Sequence, residues 1–196
     1  MAETNKKNRM QNLIAGLIVA LSVLTAYALF QSSEVASDSN DNFFRAQGFL
    51  TDSNLEYIQI GQDLFYDLNV SDQVYLHEQN NNQEMADYFF NQLTSAAQDS
   101  YERPDGPFDE AYYDAVYESV LEIDEQADEL FILALLQSRI HVAFQLAVTI
   151  FSVGLAFAAW ASLMDKGQRT RSLFIVLSSV ALVLGILQLV RTLVLE

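Results

Sequence analysis

Three long apolar runs restrict the fold of this chain more than any other feature of its sequence. They cover residues 12–30, 139–164 and 172–195. Each reaches the roughly 20 residues that a helix needs to cross about 30 Å of hydrocarbon. None contains an acidic residue, as expected where burying a charge in lipid is costly. The sequence therefore predicts an all-α integral membrane protein with three transmembrane helices. Its predicted partner is the lipid bilayer.

The segment between the first two runs, residues 31–138, is strongly acidic. Its 23 Asp and Glu residues are opposed by Arg45 and Arg103, so its net charge is −21, against −16 for the whole chain. Such a surface repels nucleic acid, which we exclude as a partner. The sequence has no cysteine, and it shows no phosphate-binding glycine loop, nucleophile elbow or zinc signature. We expect no enzyme activity, no cofactor and no metal site.

Basic residues predict the orientation in the cell membrane. They precede the first run and fill the short link at 165–171: Lys6, Lys7, Arg9, Lys166, Arg169 and Arg171. Short basic flanks stay in the cytoplasm. Residues 1–11 and the link are therefore expected inside, and residues 31–138 and the C-terminus are expected to be extracytoplasmic. The small residues at 26 and 28 also fit a signal-peptide cleavage site, so the first run could be a signal peptide in place of an uncleaved anchor.

Polar and aromatic residues near the ends of the runs predict anchors at the membrane–water interface: Arg139, His141, Trp160 and Arg191. Amphipathic side chains bury their apolar parts and keep their polar ends in water. His141 could instead be a metal ligand or a proton site beside Arg139. No second histidine or glutamate completes a Glu-x-x-His metal pattern there, so the anchor interpretation is favoured.

A turn at 103–107 precedes a long stretch without proline. Gly106 is expected at positive φ in this turn, and residues 108–163 are expected to form one unbroken helix. Apolar residues alternate there in steps of three and four, which predicts a helix-packing seam of the coiled-coil type. The seam residues are Tyr113, Val116, Val120, Ile123, Ala127, Leu130 and Ala134.

Residues 33–68 also predict a helix, which continues from the first run. Its apolar stripe includes Phe43, Phe44, Ala46, Leu50, Tyr57, Ile60, Leu64 and Leu68. The stretch at 69–72 reads as a helix stop followed by an N-cap, and a weaker helix is expected over 72–100 with a break at 80–82. The acidic segment is thus predicted to be a bundle of about three helices, the first and last continuous with the first two spans.

Small residues four apart predict close helix contacts, within the chain or between copies. The pairs are Gly16 and Ala20, Gly154 and Ala158, and Ala181 and Gly185. Acidic residues also repeat every four positions over 110–122, where like charges repel each other. Salt, divalent cations or a basic partner could screen them, and a solvated face in a salty medium is the interpretation that we favour.

Two stretches carry a resemblance to a known family: YALFQSSEVASDSNDNFFRAQ after the first run and PFDEAYYDAVYESVLEIDEQADELFILA before the second. With its single N-terminal span, helical outer segment and two C-terminal spans joined by a basic link, the chain resembles a family of small prokaryotic membrane proteins classed as a domain of unknown function. The resemblance covers most of the chain and implies this three-span architecture. It implies no activity and no functional residues.

These features predict a non-enzymatic membrane protein that acts in assembly through its acidic helical segment. It would be a homo-oligomer or an accessory subunit of other membrane proteins. The alternative is a sensor that binds a ligand or cation outside and signals through a partner, because the cytoplasmic pieces are too short to form a signalling domain. A pore is disfavoured, since the spans offer little polar lining.

Overall fold

In a computed structural model of the protein, the described residues are 2–104, 106–165 and 169–195, with side chains described from residue 9 to residue 194. The chain is 91% helical, and no strand occurs among these residues. The helices are α1 (Ala2–Gln79), α2 (Gln83–Phe90), α3 (Ser95–Tyr101), α4 (Glu110–Leu163) and α5 (Arg169–Leu195). The predicted all-α class is confirmed.

Three of these helices, α1, α4 and α5, are long and apolar enough to cross a membrane. In the most apolar 18-residue window of each, at most 28% of the residues are buried inside the chain. The remaining apolar surface of these windows suits contact with lipid better than contact with water. The structure is thus compatible with the predicted multi-pass membrane protein.

The first of two compact units comprises Met1–Asn42 and Ile132–Glu196, and so holds all three apolar runs. Side chains of α1, α4 and α5 form its core, among them Leu21, Phe151 and Leu189. Along α4, buried residues recur in steps of three and four: Ile140, Phe144, Ala147, Phe151, Gly154, Ala158 and Ala161. This spacing keeps one face of α4 against its neighbours over six turns or so.

The second unit, Phe43–Phe131, contains the second half of α1, the short helices α2 and α3, and the start of α4. Its α1 and α4 segments are antiparallel: the Phe43 ring lies 5.4 Å from that of Phe131, and the Tyr57 ring lies 5.5 Å from that of Tyr117. A core cluster closes the other end of the unit, with Val70, Leu93, Ala97 and Tyr112 at its centre.

The helix stop predicted at 69–72 is wrong, because α1 continues without a break to Gln79. The Asn69 side chain donates to the Phe65 carbonyl at 2.6 Å, one turn back within the helix. Val70 and Val74 are buried. Their packing outweighs the weak helix preference of the local sequence. The break at 80–82 is confirmed: α1 ends there and Asn81 has a φ of 53°.

Candidate functional site

A buried carboxylate connects three helices of the second unit. Asp67 on α1 is fully buried. Its Oδ1 accepts the Thr94 N–H at 2.9 Å, and its Oδ2 accepts the Thr94 hydroxyl at 2.5 Å and the Tyr112 hydroxyl at 3.0 Å. Thr94 in turn caps α3 by accepting the Ala97 N–H. Three donors thus satisfy the carboxylate, and the group holds α1, α3 and α4 together.

The fold changes the titration of the Tyr112 phenol. Burial, and then the hydrogen bond to Asp67, raises the pKa of Tyr112 well above its ordinary value. The folded protein therefore holds the phenol proton more tightly than the unfolded chain does. This contribution to stability is complete below the ordinary tyrosine pKa of about 10 and is lost as the pH rises above it.

The turn before α4 is fixed by an ion pair and by two residues at positive φ. Arg103 donates to both carboxylate oxygens of Asp109, at 2.6 and 2.7 Å. This bond lowers the pKa of Asp109, whose Oδ1 also accepts the Tyr112 N–H at the start of α4. Gly106 has a φ of 89°, as predicted, and Phe108 has a φ of 63°. Such a φ is strained for a bulky residue, and the edge contact of Phe108 with Tyr112 helps to hold it.

The predicted seam of α4 divides into buried, half-buried and exposed positions. Val120, Ala127 and Ala134 are buried, while Val116, Ile123 and Leu130 are half-buried. Tyr113 departs from the prediction: it is 39% exposed, whereas its neighbour Tyr112 is 1% exposed and enters the core. The hydrogen bond from Tyr112 to Asp67 explains the difference, since a buried carboxylate requires a donor at that position.

The small residues of the apolar runs also differ in their contacts. A Cβ added to Gly154 would lie 2.9 Å from the Ala181 Cβ, and one added to Gly185 would lie 2.3 Å from the Phe151 ring. Ala158 and Ala181 are buried, but Ala20 is half-buried and a Cβ on Gly16 would meet nothing within 4 Å. The pairs on α4 and α5 therefore serve packing within the chain, and the pair on α1 leaves an open face.

The residues predicted as interface anchors differ in their exposure. Arg139, Trp160 and Arg191 are exposed. His141 is half-buried, and its Nδ1 lies 2.8 Å from the Ser32 carbonyl oxygen and 2.9 Å from the Ser32 hydroxyl. We expected its polar end in water; instead the imidazole joins α4 to α1 within the first unit. Among the described residues, no group of three or more His, Asp or Glu is placed to hold a metal ion.

An exposed apolar stripe on α1, which we call the uncharged face, was missed by the sequence analysis. Its apolar members are 50–69% exposed: Phe44, Leu55, Ile58, Phe65 and Leu76. With 3.6 residues per turn, these positions fall within about 80° of one another on the helix. The residues between them on this face are polar but uncharged: Gln47, Thr51, Gln62, Asn69 and Gln73. Phe44 was predicted to share one apolar stripe with Ala46 and Ile60, but these two are buried and Phe44 lies on the opposite side of the helix.

The absence of charge is the signal that could have identified this face. Five acidic residues of α1 within the second unit fall on other sides of the helix: Asp52, Glu56, Asp63, Asp67 and Glu78. The sixth, Asp72, lies at the edge of the face, about 20° beyond Phe65. In so acidic a unit, an apolar face without any charge has the composition of an interface centre, where charged residues are depleted.

The chain matches no protein-family model, and neither the curated proteins nor the solved structures contain a significant match to it.

Proposed function

We propose that this protein is a non-enzymatic membrane protein that self-associates through the uncharged face of α1. One observation carries the proposal: five large apolar side chains, spread over 33 residues of α1, are at least half exposed on a single face that has no charged residue. An uncharged face of this length, with large apolar side chains at intervals along an exposed helix, is typical of a binding surface.

The proposed partner is a second copy of the chain. Phe44, Ile58 and Phe65 are separated by 14 and 7 residues, a spacing that keeps them on one seam when two parallel helices wind around each other. Two copies in one membrane with the same orientation have parallel α1 helices. From Phe44 to Asn69 the uncharged face lets them meet without bringing carboxylates into contact, and Asp72 is the next position of the same spacing. The other acidic residues remain in solvent, where salt screens charges more than about 10 Å apart.

This proposal includes a membrane location. We propose that residues 12–30, 139–164 and 172–195 span the cell membrane, and that the acidic segment between the first two is extracytoplasmic. The support is the apolar length of the three helices and the basic residues at 6–9 and 166–171. The outer segment would then present the uncharged face to a neighbouring copy.

The test is the native mass of the full chain, extracted gently from its own membranes, before and after a double substitution on the uncharged face. Ile58→Gln with Phe65→Gln should convert a species of two chains of 22.1 kDa each into a single chain. Both side chains are more than half exposed, so helical content should be unchanged. Leu121→Gln is the matched control, because Leu121 is as exposed but lies on α4.

A second measurement uses the lack of native cysteine. Gln62→Cys places a thiol in the middle of the uncharged face, where mild oxidation in the membrane should give a covalent dimer. Asp63→Cys, exposed on another side of α1, should not cross-link. A single-chain mass for the unaltered protein together with no cross-link at 62 would refute self-association. A cross-link to a different chain would make the protein an accessory subunit.

A further inference from the structure

Arg171 is a buried cation without a partner among the described residues. It lies in the first turn of α5 and is 4% exposed. Its Nε has no hydrogen-bond partner, and the ion pair found among the described residues joins Arg103 to Asp109, in the other unit. A buried guanidinium nitrogen without an acceptor is costly, and an anion that accepts its hydrogen bond reduces this cost. From the sequence we expected Arg171 in the short cytoplasmic link at 165–171.

Contacts within the first unit give the distance of Arg171, along the helix axis, from the middle of the apolar runs. The Gly154 position meets Leu21 of α1 and Ala181 of α5, so these three residues share one level near the middles of the three apolar runs. The α4 and α5 helices are antiparallel, since Phe151 reaches Gly185 while Phe157 packs on Phe174. Arg171 precedes Ala181 by ten residues, which is roughly 15 Å along the helix axis.

That distance matches half the thickness of a bilayer's hydrocarbon core, about 15 Å, beyond which lipid phosphates begin. The same end of the unit carries two more cations, Arg9 and Arg169, both exposed. The first turn of α5 adds backbone N–H groups and the positive end of the helix dipole. Asp165, the acidic residue described between α4 and α5, is exposed, and it forms no ion pair with Arg171.

We propose that Arg171 binds a phosphate group, supplied by a phospholipid headgroup, at this end of the first unit. The guanidinium provides a planar set of donors that suits phosphate oxygens. The side chain is 4% exposed, although lipid-facing arginines normally extend to water. The inference requires that the apolar runs span a membrane, but it does not depend on self-association.

The test is a lipid titration of the full chain in a neutral maltoside detergent. Two quantities are measured at each lipid concentration: the fluorescence of the single tryptophan, Trp160, and the melting temperature. The probes are phosphatidylglycerol, a digalactosyl lipid with the same acyl chains but no phosphate, and inorganic phosphate at constant ionic strength. Phosphatidylglycerol should bind and stabilise. Arg171→Gln should weaken its binding about tenfold to a hundredfold, the loss expected for one set of charge-assisted hydrogen bonds.

Arg191→Gln is the matched control, since Arg191 is an exposed arginine near the opposite end of the same helix; its phosphatidylglycerol affinity should stay within about twofold of the unaltered protein. If Arg171→Gln does not fold, Arg171→Lys keeps the charge without the planar donors, and it should lose part of the affinity. An equal response of the unaltered protein to phosphatidylglycerol and to the galactolipid would overturn the proposal. Stabilisation by inorganic phosphate equal to that by phosphatidylglycerol would overturn its assignment to lipid.

Discussion

At the scale of single residues, a few buried polar groups decide which side chains enter the core. Asp67 is the clearest case, because its carboxylate accepts three hydrogen bonds and is shielded from water. It therefore selects Tyr112 over Tyr113 as the aromatic residue that α4 buries. His141 acts similarly in the first unit, where it pairs with Ser32. These choices depend on hydrogen-bond partners 45 and 109 residues away.

Replacing Asp67 with alanine should destabilise the second unit strongly. The change leaves the Thr94 N–H, the Thr94 hydroxyl and the Tyr112 hydroxyl without their acceptor, and each unsatisfied buried donor costs about 1–3 kcal/mol. We expect the free energy of unfolding to fall by about 3 kcal/mol or more, measured by chemical denaturation in micelles. Asp63→Ala removes an exposed carboxylate one turn earlier and should change it by less than about 0.5 kcal/mol. Equal effects of the two substitutions would contradict the role given to Asp67.

At the scale of helices, the two glycines of α4 and α5 set how closely these elements approach. Gly185 faces the ring of Phe151, which is completely buried, and Gly154 faces Ala181. Close backbone approach of this kind adds dispersion contacts between the helices. In lipid these contacts drive helix association, because the hydrophobic effect does not act between helices there. Gly16 on α1 is also a glycine, but it makes no such contact.

Gly185→Ala should therefore destabilise the first unit, because its Cβ would come within 2.3 Å of the Phe151 ring. Overpacking of this kind costs about 1–3 kcal/mol, which thermal unfolding in micelles would detect. Gly16→Ala is the control: with open space around the Cβ, it should be neutral or stabilise by up to about 1 kcal/mol through helix propensity. The glycine contacts would be irrelevant to folding if both variants behaved alike.

At the scale of the whole molecule, the three apolar runs belong to one compact unit and 20 of the 26 acidic residues to the other. The first unit extends beyond the apolar runs to Asn42 and Ile132. Polar contacts hold this extension: Ser39 donates to the Ala134 carbonyl at 2.8 Å, and Asn42 donates to Gln137 at 2.9 Å. The boundary between packing units thus does not coincide with the boundary of hydropathy at residues 30 and 139.

The proposed orientation can be measured in intact cells, because the chain has no native cysteine. A membrane-impermeant maleimide should label Asn54→Cys from outside. It should label Asp165→Cys only after the membrane is permeabilised, since that residue follows the second span. Both positions are exposed, so access to the reagent depends on the side of the membrane, and the unaltered chain provides the unlabelled control. The reverse labelling pattern would exclude this topology.

The sequence by itself determined the helical class, the three candidate spans, the turn at Gly106 and the unbroken helix α4. These follow from local properties, namely apolar length, the conformational freedom of glycine and the absence of proline. Only the tertiary structure decided that α1 continues through 69–72, that Tyr112 and not Tyr113 is buried, and that Phe44 is exposed. It also showed that Arg171 is buried. Each of these outcomes depends on which face of a helix meets a distant segment, and local sequence does not fix that choice when both faces carry apolar residues.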